Sequence, residues 1–438
     1  MFKKVFPLSA ILSLRFLGLF LVLPVISIFA LELEGSTPLL VGIVVGGYAL
    51  TQALFQVPFG TMSDKIGRKP TLLVGLLIFL AGSIICAYSS DIYTLMLGRF
   101  LQGAGAIGSV ITAMISDLVE EEIRGKAMAI MGASIALSFA LAMGLGPVLG
   151  AKFGIASLFI LTAVFAVLAI ILLFTKVPTP PKIKHIYHAT AKTSDILKDP
   201  NLLNMIIVNA MQKGLMTIAF VLIPIILTSD TFSWQKSDLY MAYLPAMVFG
   251  LAAMGPAVIF GEKHNKPKEI FLFSIVLFIV SFLIMGLTTS SIFFIVGVVL
   301  FFIAFNMMEP LVQSMITKFA KVHQKGAALG ISNSVAYFST FIGGTSAGLF
   351  LGFSDRETIG VSVAAIAALW LLWTLKLQNP TKYSHIYLPQ TSVDMDKLTN
   401  FEHNHIAEWY INDTEKLVIV KYTKDAIEEE TLKAAISK

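Results

Sequence analysis

Charge is scarce in this chain: Asp, Glu, Lys and Arg make up 13% of 438 residues, against 56% hydrophobic ones. That ratio excludes a water-soluble globular protein of this size, which has no use for so much apolar surface. Cysteine is almost missing as well. Cys86 stands alone inside an apolar run, so there is neither a disulfide framework nor a Cys-rich metal site. No G-x-x-x-x-G-K-[ST] string occurs, which argues against pumping driven directly by ATP. The apolar runs hold no nucleophile–base set and no metal-ligand cluster, so neither an enzyme nor a bound cofactor is expected.

What the chain does have is length in its apolar runs. A helix needs about 20 apolar residues to cross a hydrocarbon core of roughly 30 Å. Such runs recur at 8–31, 39–62, 70–90, 92–116, 125–150, 154–175, 202–228, 237–260, 269–288, 291–317, 327–351 and 358–377, which makes twelve spans. An all-α polytopic membrane protein follows, because helices satisfy their own backbone groups in lipid. Lys3 and Lys4 ahead of the first run suggest a signal peptide, but the run is too long and Ile28 spoils a small-residue cleavage site.

Orientation comes from the basic residues, which stay on the cytoplasmic side of short loops. With the amino terminus inside, 18 Lys and Arg fall on inside segments, and only Lys152, Lys236 and Arg356 fall outside. Both termini are therefore expected in the cytoplasm. The net charge of +5 reports this topology and contact with acidic lipid heads, with no reason to invoke nucleic acid.

An offset of 201 residues lays Gly261 on Gly60, the loop GEKHNKPKEI on GTMSDKIGRK, and Lys325-Gly326 on Arg124-Gly125. Two matches in one register predict a duplicated six-helix bundle. The expected division is 1–175, a proline-rich basic linker 176–201, a second bundle 202–377 and a soluble tail 378–438. Within the tail, strands near 385–388, 406–411 and 416–422 and helices near 394–401 and 426–436 give the order β-α-β-β-α. That is most of a small α+β ferredoxin-like unit without its last strand, so either the fold is shortened or another chain or loop completes the sheet edge. His403 and His405, with no carboxylate or cysteine pattern around them, are not read as metal ligands.

Several of these residues resemble the major facilitator superfamily over residues 8–377. Gly60, Asp64, Gly67, Arg68 and Lys69 look like its loop between helices two and three, with Lys65 where Arg is commoner. Arg99, Gln102, Gly103 and Gly105 look like its helix-four element, and Gly146, Pro147 and Gly150 like its helix-five antiporter element. Ala142 and Ala151 stand where the fullest helix-five pattern has glycine, which weakens antiport more than the fold. The string RFLGLFLVLP in helix one is similar to the drug:proton antiporter branch, and with its soluble tail the chain looks like the YajR-type transporters. The resemblance implies alternating access between the two bundles, with helices one, four, seven and ten lining a central cavity.

Three groups of candidate residues follow. Asp64, Arg68, Asp117 and Arg124, with Gly60 and Gly67 for the sharp turn, form a cytoplasmic latch that holds an outward-open state, as the resemblance implies; the plain alternative is a solvated charge cluster. Gly144, Gly146, Pro147 and Gly150 serve either as close packing or as an antiport gate in helix five. Deep in the spans lie Arg15, Arg99, Lys213 and Glu309, one on each cavity helix, and intramembrane charge is costly unless it faces a polar cavity or a partner. Glu309, beside Pro310, is the expected proton carrier, with a static Glu309–Lys213 pair as the alternative. Arg99 either tunes a nearby acid or holds an anionic substrate, and Arg15 either joins the cavity or snorkels to the surface. The expected activity is export of a small amphipathic compound coupled to protons, by a monomer. A proton-linked organic anion carrier, favoured by Arg99 and Lys213, and a sensor that binds without transporting remain alternatives.

Overall fold

Apolar stretches this long bury no backbone group unpaired only if they coil, and in the computed structural model they do. It describes residues 2–179, 193–321, 324–380, 383–400, 406–412, 415–423 and 427–437. Among the described residues, twelve helices are long and apolar enough to cross a membrane. They are α1 (Lys4–Leu21), α2 (Pro38–Ile66), α3 (Arg68–Ala87), α4 (Ile92–Leu118), α5 (Lys126–Phe153), α6 (Ile155–Thr175), α7 (Pro200–Thr228), α8 (Lys236–Lys263), α9 (Pro267–Leu287), α10 (Ser291–Phe319), α11 (Lys325–Leu351) and α12 (Arg356–Thr374).

Three local departures from the expected spans have visible causes. The first run does not continue to residue 31: it turns over Val22–Val25, around Pro24, and resumes as a short helix Ile26–Ala30. Helix α4 is interrupted at Gly105–Ile107, where Gly105 lies so close to α3 that an added Cβ would sit 2.4 Å from the Gly75 carbonyl oxygen. The last turn of α8, Ile259–Lys263, is π-helical and contains Gly261. Pro310, by contrast, leaves α10 continuous from Ser291 to Phe319.

The repeat is legible in the packing. Within the first six helices, α1 packs on α5 and α6, α4 on α2 and α3, and α3 on α6; within the second six, α7 packs on α11 and α12, α10 on α8 and α9, and α9 on α12. Each pairing in one bundle recurs in the other six helices later. Between the bundles the main contacts are α2 with α11 and α5 with α8, which the same symmetry exchanges. The apolar side chains of α6, α9 and α12 that point outward, such as Ile171, Phe174, Phe273, Leu369 and Leu372, are exposed as a lipid-facing surface requires.

The two ends of this bundle differ. At the end away from the chain termini, hereafter the far end, the bundles meet backbone to backbone. A Cβ added at Gly42 of α2 would fall 2.1 Å from the Gly344 carbonyl oxygen of α11, and one at Gly348 would fall 2.3 Å from that of Pro38. At the terminus end of α11, Gly326 and Gly330 would meet nothing within 4 Å, and Gly132 of α5 is equally open. The structure is thus sealed at the far end and parted at the terminus end.

The tail has β1 (Tyr383–Pro389), α13 (Met395–Asn400), β2 (Ile406–Asn412), β3 (Leu417–Thr423) and α14 (Glu429–Ile436). Its three strands pair antiparallel in the order β1-β3-β2, with Val420 opposite both Ile386 and Trp409. Val418, Val420 and Tyr422 of β3 point into one core with Leu398, Leu432 and Ile436 from the two helices, so the ferredoxin-like arrangement holds for the described strands. His403 and His405 lie outside the described residues. Lys421 faces the other side of β3, where burial, reinforced by Lys325 at the start of α11, pushes its ammonium below the usual lysine range.

Candidate functional site

The four deep charges do not form one cluster. Lys213 on α7 and Glu309 on α10 are joined: the ammonium Nζ lies 2.7 Å from both carboxylate oxygens, and Gln212 Nε2 donates to Oε2 at 3.1 Å. The lysine also sits 4.9 Å above the Phe305 ring. This pair is only half-buried, Lys213 being 23% and Glu309 37% exposed. The three hydrogen bonds from Lys213 and Gln212 fix the direction of the carboxylate.

Arg99 on α4 is fully buried and closed off. Its Nε donates to the Val44 carbonyl at 3.2 Å, Nη1 to Gln102 Oε1 at 2.8 Å and Nη2 to the Val45 carbonyl at 3.5 Å, and its guanidinium lies 4.7 Å from the Tyr48 ring centre. Every nitrogen is used within the first bundle, and no acid is bonded to it. Arg15 on α1 is fully buried too, so its side chain does not snorkel to the surface. Its Nη2 donates to Gln52 Oε1 at 3.2 Å and to the Gln102 carbonyl at 3.5 Å, while Nε and Nη1 have no partner.

An aromatic row joins the bundles near these charges. Phe16 stacks on Phe20 with centroids 5.3 Å apart, Phe20 meets Phe139 of α5 edge-on at 4.9 Å, and Phe139 reaches Phe220 of α7 and Phe305 of α10 at 6.1 and 5.9 Å. The other polar candidates mostly tie helices together. Asn209 bonds Ser332 at 2.9 Å, Gln313 bonds Asn333 at 3.2 Å, and Asn306 turns back to the Phe302 carbonyl of its own helix at 2.8 Å.

At the terminus end, Arg68 is the hub. Its Nη1 lies 2.6 Å from Asp64 and 2.5 Å from Ser63 Oγ, and its Nε lies 2.9 Å from Asp117 of α4. Gly67 makes the turn possible with φ +101°, a backbone that L side chains rarely adopt. Gly60 is less crowded, its nearest neighbour being Ser109 Oγ at 3.9 Å from an added Cβ. The Arg124 side chain lies outside the described residues. Sequence reading missed the partner joint in the second bundle, where Lys318 of α10 pairs with Glu262, which also accepts from Ser314. The offset of 201 carries Asp117 onto Lys318, but it carries Thr61 onto Glu262 and Arg68 onto Glu269, so the repeat marks one member of the second joint and not its partner.

In helix five, Gly146 lies against the end of α1, where an added Cβ would sit 2.3 Å from the Leu21 carbonyl oxygen. Gly150 packs on Leu158 and Val25, and Gly144 faces Leu244 of α8. Pro147 lies inside this helix, which continues to Phe153. A cross-bundle ion pair that sequence did not suggest, Lys236 with Glu32 at 2.5 Å, caps the same end.

This architecture has known counterparts. The sequence profile of the Major Facilitator Superfamily matches residues 8–266 and 250–411. The chain is 36% identical to the inner membrane transport protein YajR of Escherichia coli (strain K12) over 86% of its own length and 84% of that protein. It is 27% identical to the quinolone resistance protein NorA of Staphylococcus aureus (strain MSSA476), over 83% of its length and 95% of that protein. In structure it superposes on a D-xylose-proton symporter with a TM-score of 0.71, at 14% identity, covering 86% of this chain and 98% of that one. Helices, paired bundles and sequence agree, and the chain belongs to the major facilitator superfamily of membrane transporters.

Proposed function

We propose that this transporter exports small amphipathic compounds across the inner membrane in exchange for protons, with both termini in the cytoplasm. The observation that carries this reading is the Lys213–Glu309 pair, which links α7 to α10 and is half-exposed. A proton on Glu309 removes the charge that holds Lys213, so proton arrival loosens one internal contact of the second bundle. Similarity to NorA, a quinolone resistance protein, supports export of an amphipathic solute, and the inner-membrane assignment follows YajR. Residues 1–175 then rock against 202–377 about this layer, with 176–201 as the linker between them.

Two further roles belong to the same reading. Asp64, Arg68, Asp117 and Arg124 act as the latch of the outward-open state, a reading supported by the ion pairs of Arg68 with Asp64 and Asp117. Gly144, Gly146, Pro147 and Gly150 pack the far end of helix five and set how closely α1 and α8 approach it.

The test follows internal pH in proteoliposomes while an amphipathic cation or an organic anion is added, with wild type and Glu309→Gln side by side. Substrate-driven proton movement in the wild type that vanishes in Glu309→Gln is the expected result. Intact movement in the mutant removes Glu309 from the mechanism, and no movement in the wild type with any bound compound removes proton coupling.

A further inference from the structure

Four buried or half-buried basic and acidic side chains sit in the membrane layer, and their hydrogen-bond accounts differ. Lys213 is closed by Glu309, and Arg99 spends all three nitrogens on two carbonyls and Gln102. Arg15 does not balance. It is 0% exposed and its guanidinium lies 5.6 and 5.4 Å from the Phe16 and Phe79 ring centres, but only its Nη2 donates a hydrogen bond, and Nε and Nη1 are buried with no hydrogen-bond acceptor among the described residues. The neighbouring Gln52 repeats the pattern: its Oε1 accepts from Arg15, and its buried Nε2 donates to nothing. Turning the Gln52 amide over would set an NH2 against the guanidinium, so the orientation is fixed by chemistry. Apart from Gln52, which has the Tyr337 phenol beside it, the guanidinium's Nε and Nη1 are left on α1 with no acceptor among the described residues.

A buried guanidinium without an anion is expensive, and a polar group buried without a partner costs free energy again. Structure alone gives no return for that cost, since an uncharged side chain of similar length would pack there more cheaply. Two features describe what would complete it. Phe16, the next residue, begins the aromatic row that runs through Phe20 and Phe139 to the second bundle. Tyr337 of α11 lies against Gln52 and within the electrostatic reach of both Arg15 and Glu309. Donors on the first bundle, a phenol from the second and an apolar wall between them make a place for one negative charge on an apolar body.

We infer that Arg15, with Gln52 and Tyr337, anchors the carboxylate of an amphipathic monoanionic substrate. This deepens the transport reading above and rests on it, naming the substrate class. It also moves the anion site away from Arg99 and Lys213, whose donors are already taken. One unbalanced guanidinium calls for one negative charge, and a planar carboxylate takes guanidinium, amide and phenol donors together. Because Tyr337 belongs to the other bundle, the bound anion touches both moving parts, next to the acid that exchanges protons.

The experiment measures thermal stabilisation of the purified full-length protein in detergent by 2-naphthoate, by the uncharged 2-naphthamide, and by acetate and chloride, in wild type, Arg15→Gln and Arg15→Lys. We expect saturable stabilisation of the wild type by naphthoate, with naphthamide weaker by about 10- to 100-fold, the size of a lost charge-assisted hydrogen bond. Arg15→Gln should erase that preference and Arg15→Lys restore part of it. The ligand-free melting temperature of Arg15→Gln should equal or exceed that of the wild type, whereas a residue kept only for structure would lower it. Equal binding of acid and amide, no saturable binding of naphthoate, or a preference that survives in Arg15→Gln overturns the inference. Acetate or chloride matching naphthoate overturns the amphipathic class. The readout needs no proton movement, so its failure is separable from failure of the Glu309 test.

Discussion

The two ends of the bundle are closed by different physics. At the far end the halves touch through glycines, Gly42 and Gly46 of α2 against Thr340, Gly344 and Gly348 of α11, with no room for a single methyl group. At the terminus end each half is held within itself by an ion-pair joint, Arg68 with Asp64 and Asp117 in the first and Glu262 with Lys318 in the second. A glycine seal is short-ranged and insensitive to salt, because it consists of close approach and dispersion. A charge joint acts over a longer distance and exchanges partners readily. A transporter needs both kinds, one to stop leakage and one to be rearranged, and each can be broken selectively.

The largest effect should come from Gly42→Val. Its Cβ would overlap the Gly344 carbonyl at 2.1 Å, so backbone must move, at a cost of about 3 kcal/mol or more to the far-sealed state alone. That is a shift of more than about 100-fold towards states open at the far end. Cross-linking between cysteines placed at Glu32 and Lys236, which touch across the halves in the sealed state, should drop to background. A variant that cross-links like its parent shows that the glycine contact does not set the seal.

Next in size is Arg68→Ala. Arg68 and Asp117 are 17% and 16% exposed, so losing the hub leaves a mostly buried carboxylate unpaired, with a loss of about 1–3 kcal/mol. The measurable outcome is a lower melting temperature together with greater accessibility of the terminus-end half of α4. The counterpart in the second bundle should matter less. Glu262 and Lys318 are each about one-third exposed, and pairs of that kind are worth about 1 kcal/mol or less and weaken with salt. Glu262→Lys combined with Lys318→Glu should therefore melt close to wild type, while Glu262→Lys alone should fall below it at low salt and recover at high salt. Equal losses in both joints would erase the distinction drawn between them.

How far these features could be read from sequence depended on their range. The twelve spans came directly from apolar run lengths and the two-bundle division from the 201-residue offset, while helix α4 failed at Gly105 because its break depends on a carbonyl of another helix, Gly75. The tail strands were legible as short β-branched and aromatic runs around a polar turn, although β3 proves buried on both faces, Val418, Val420 and Tyr422 on one and Ile419 and Lys421 on the other. Asp64, Asp117 and Arg68 could be grouped through the family resemblance, but Ser63, which also binds Arg68, carried no signal beyond its type. Arg15, Arg99, Lys213 and Glu309 were visible as costly charges. Which of them pair was not, because that depends on helix rotation: Arg99 turned to the α2 backbone, and Arg15 turned inward instead of towards the surface.

The smallest effect concerns acid, and it separates the far rim from the seal beneath it. Asp91 and Asp355 cap the starts of α4 and α12, where Asp91 accepts from Tyr93 and Thr94 and Asp355 from Thr358. The hydrogen bonds of Thr94 hold the Asp91 carboxyl below the usual range, and those of Thr358 do the same for Asp355. A carboxyl whose folded value is depressed binds its proton less tightly folded than unfolded. Its contribution is therefore complete above the ordinary carboxylate value, about pH 4, and is lost as pH falls through the lowered one. In Asp91→Asn the melting temperature should become less sensitive to acid below about pH 4 than in the wild type, with little change at pH 7 because asparagine still caps. The cross-link between positions 32 and 236 should persist in both proteins over the same range, since glycine contacts do not titrate. If acid opens the far end of the wild type but not of Asp91→Asn, the rim caps belong to the seal and the division between steric and charged closure has to be redrawn.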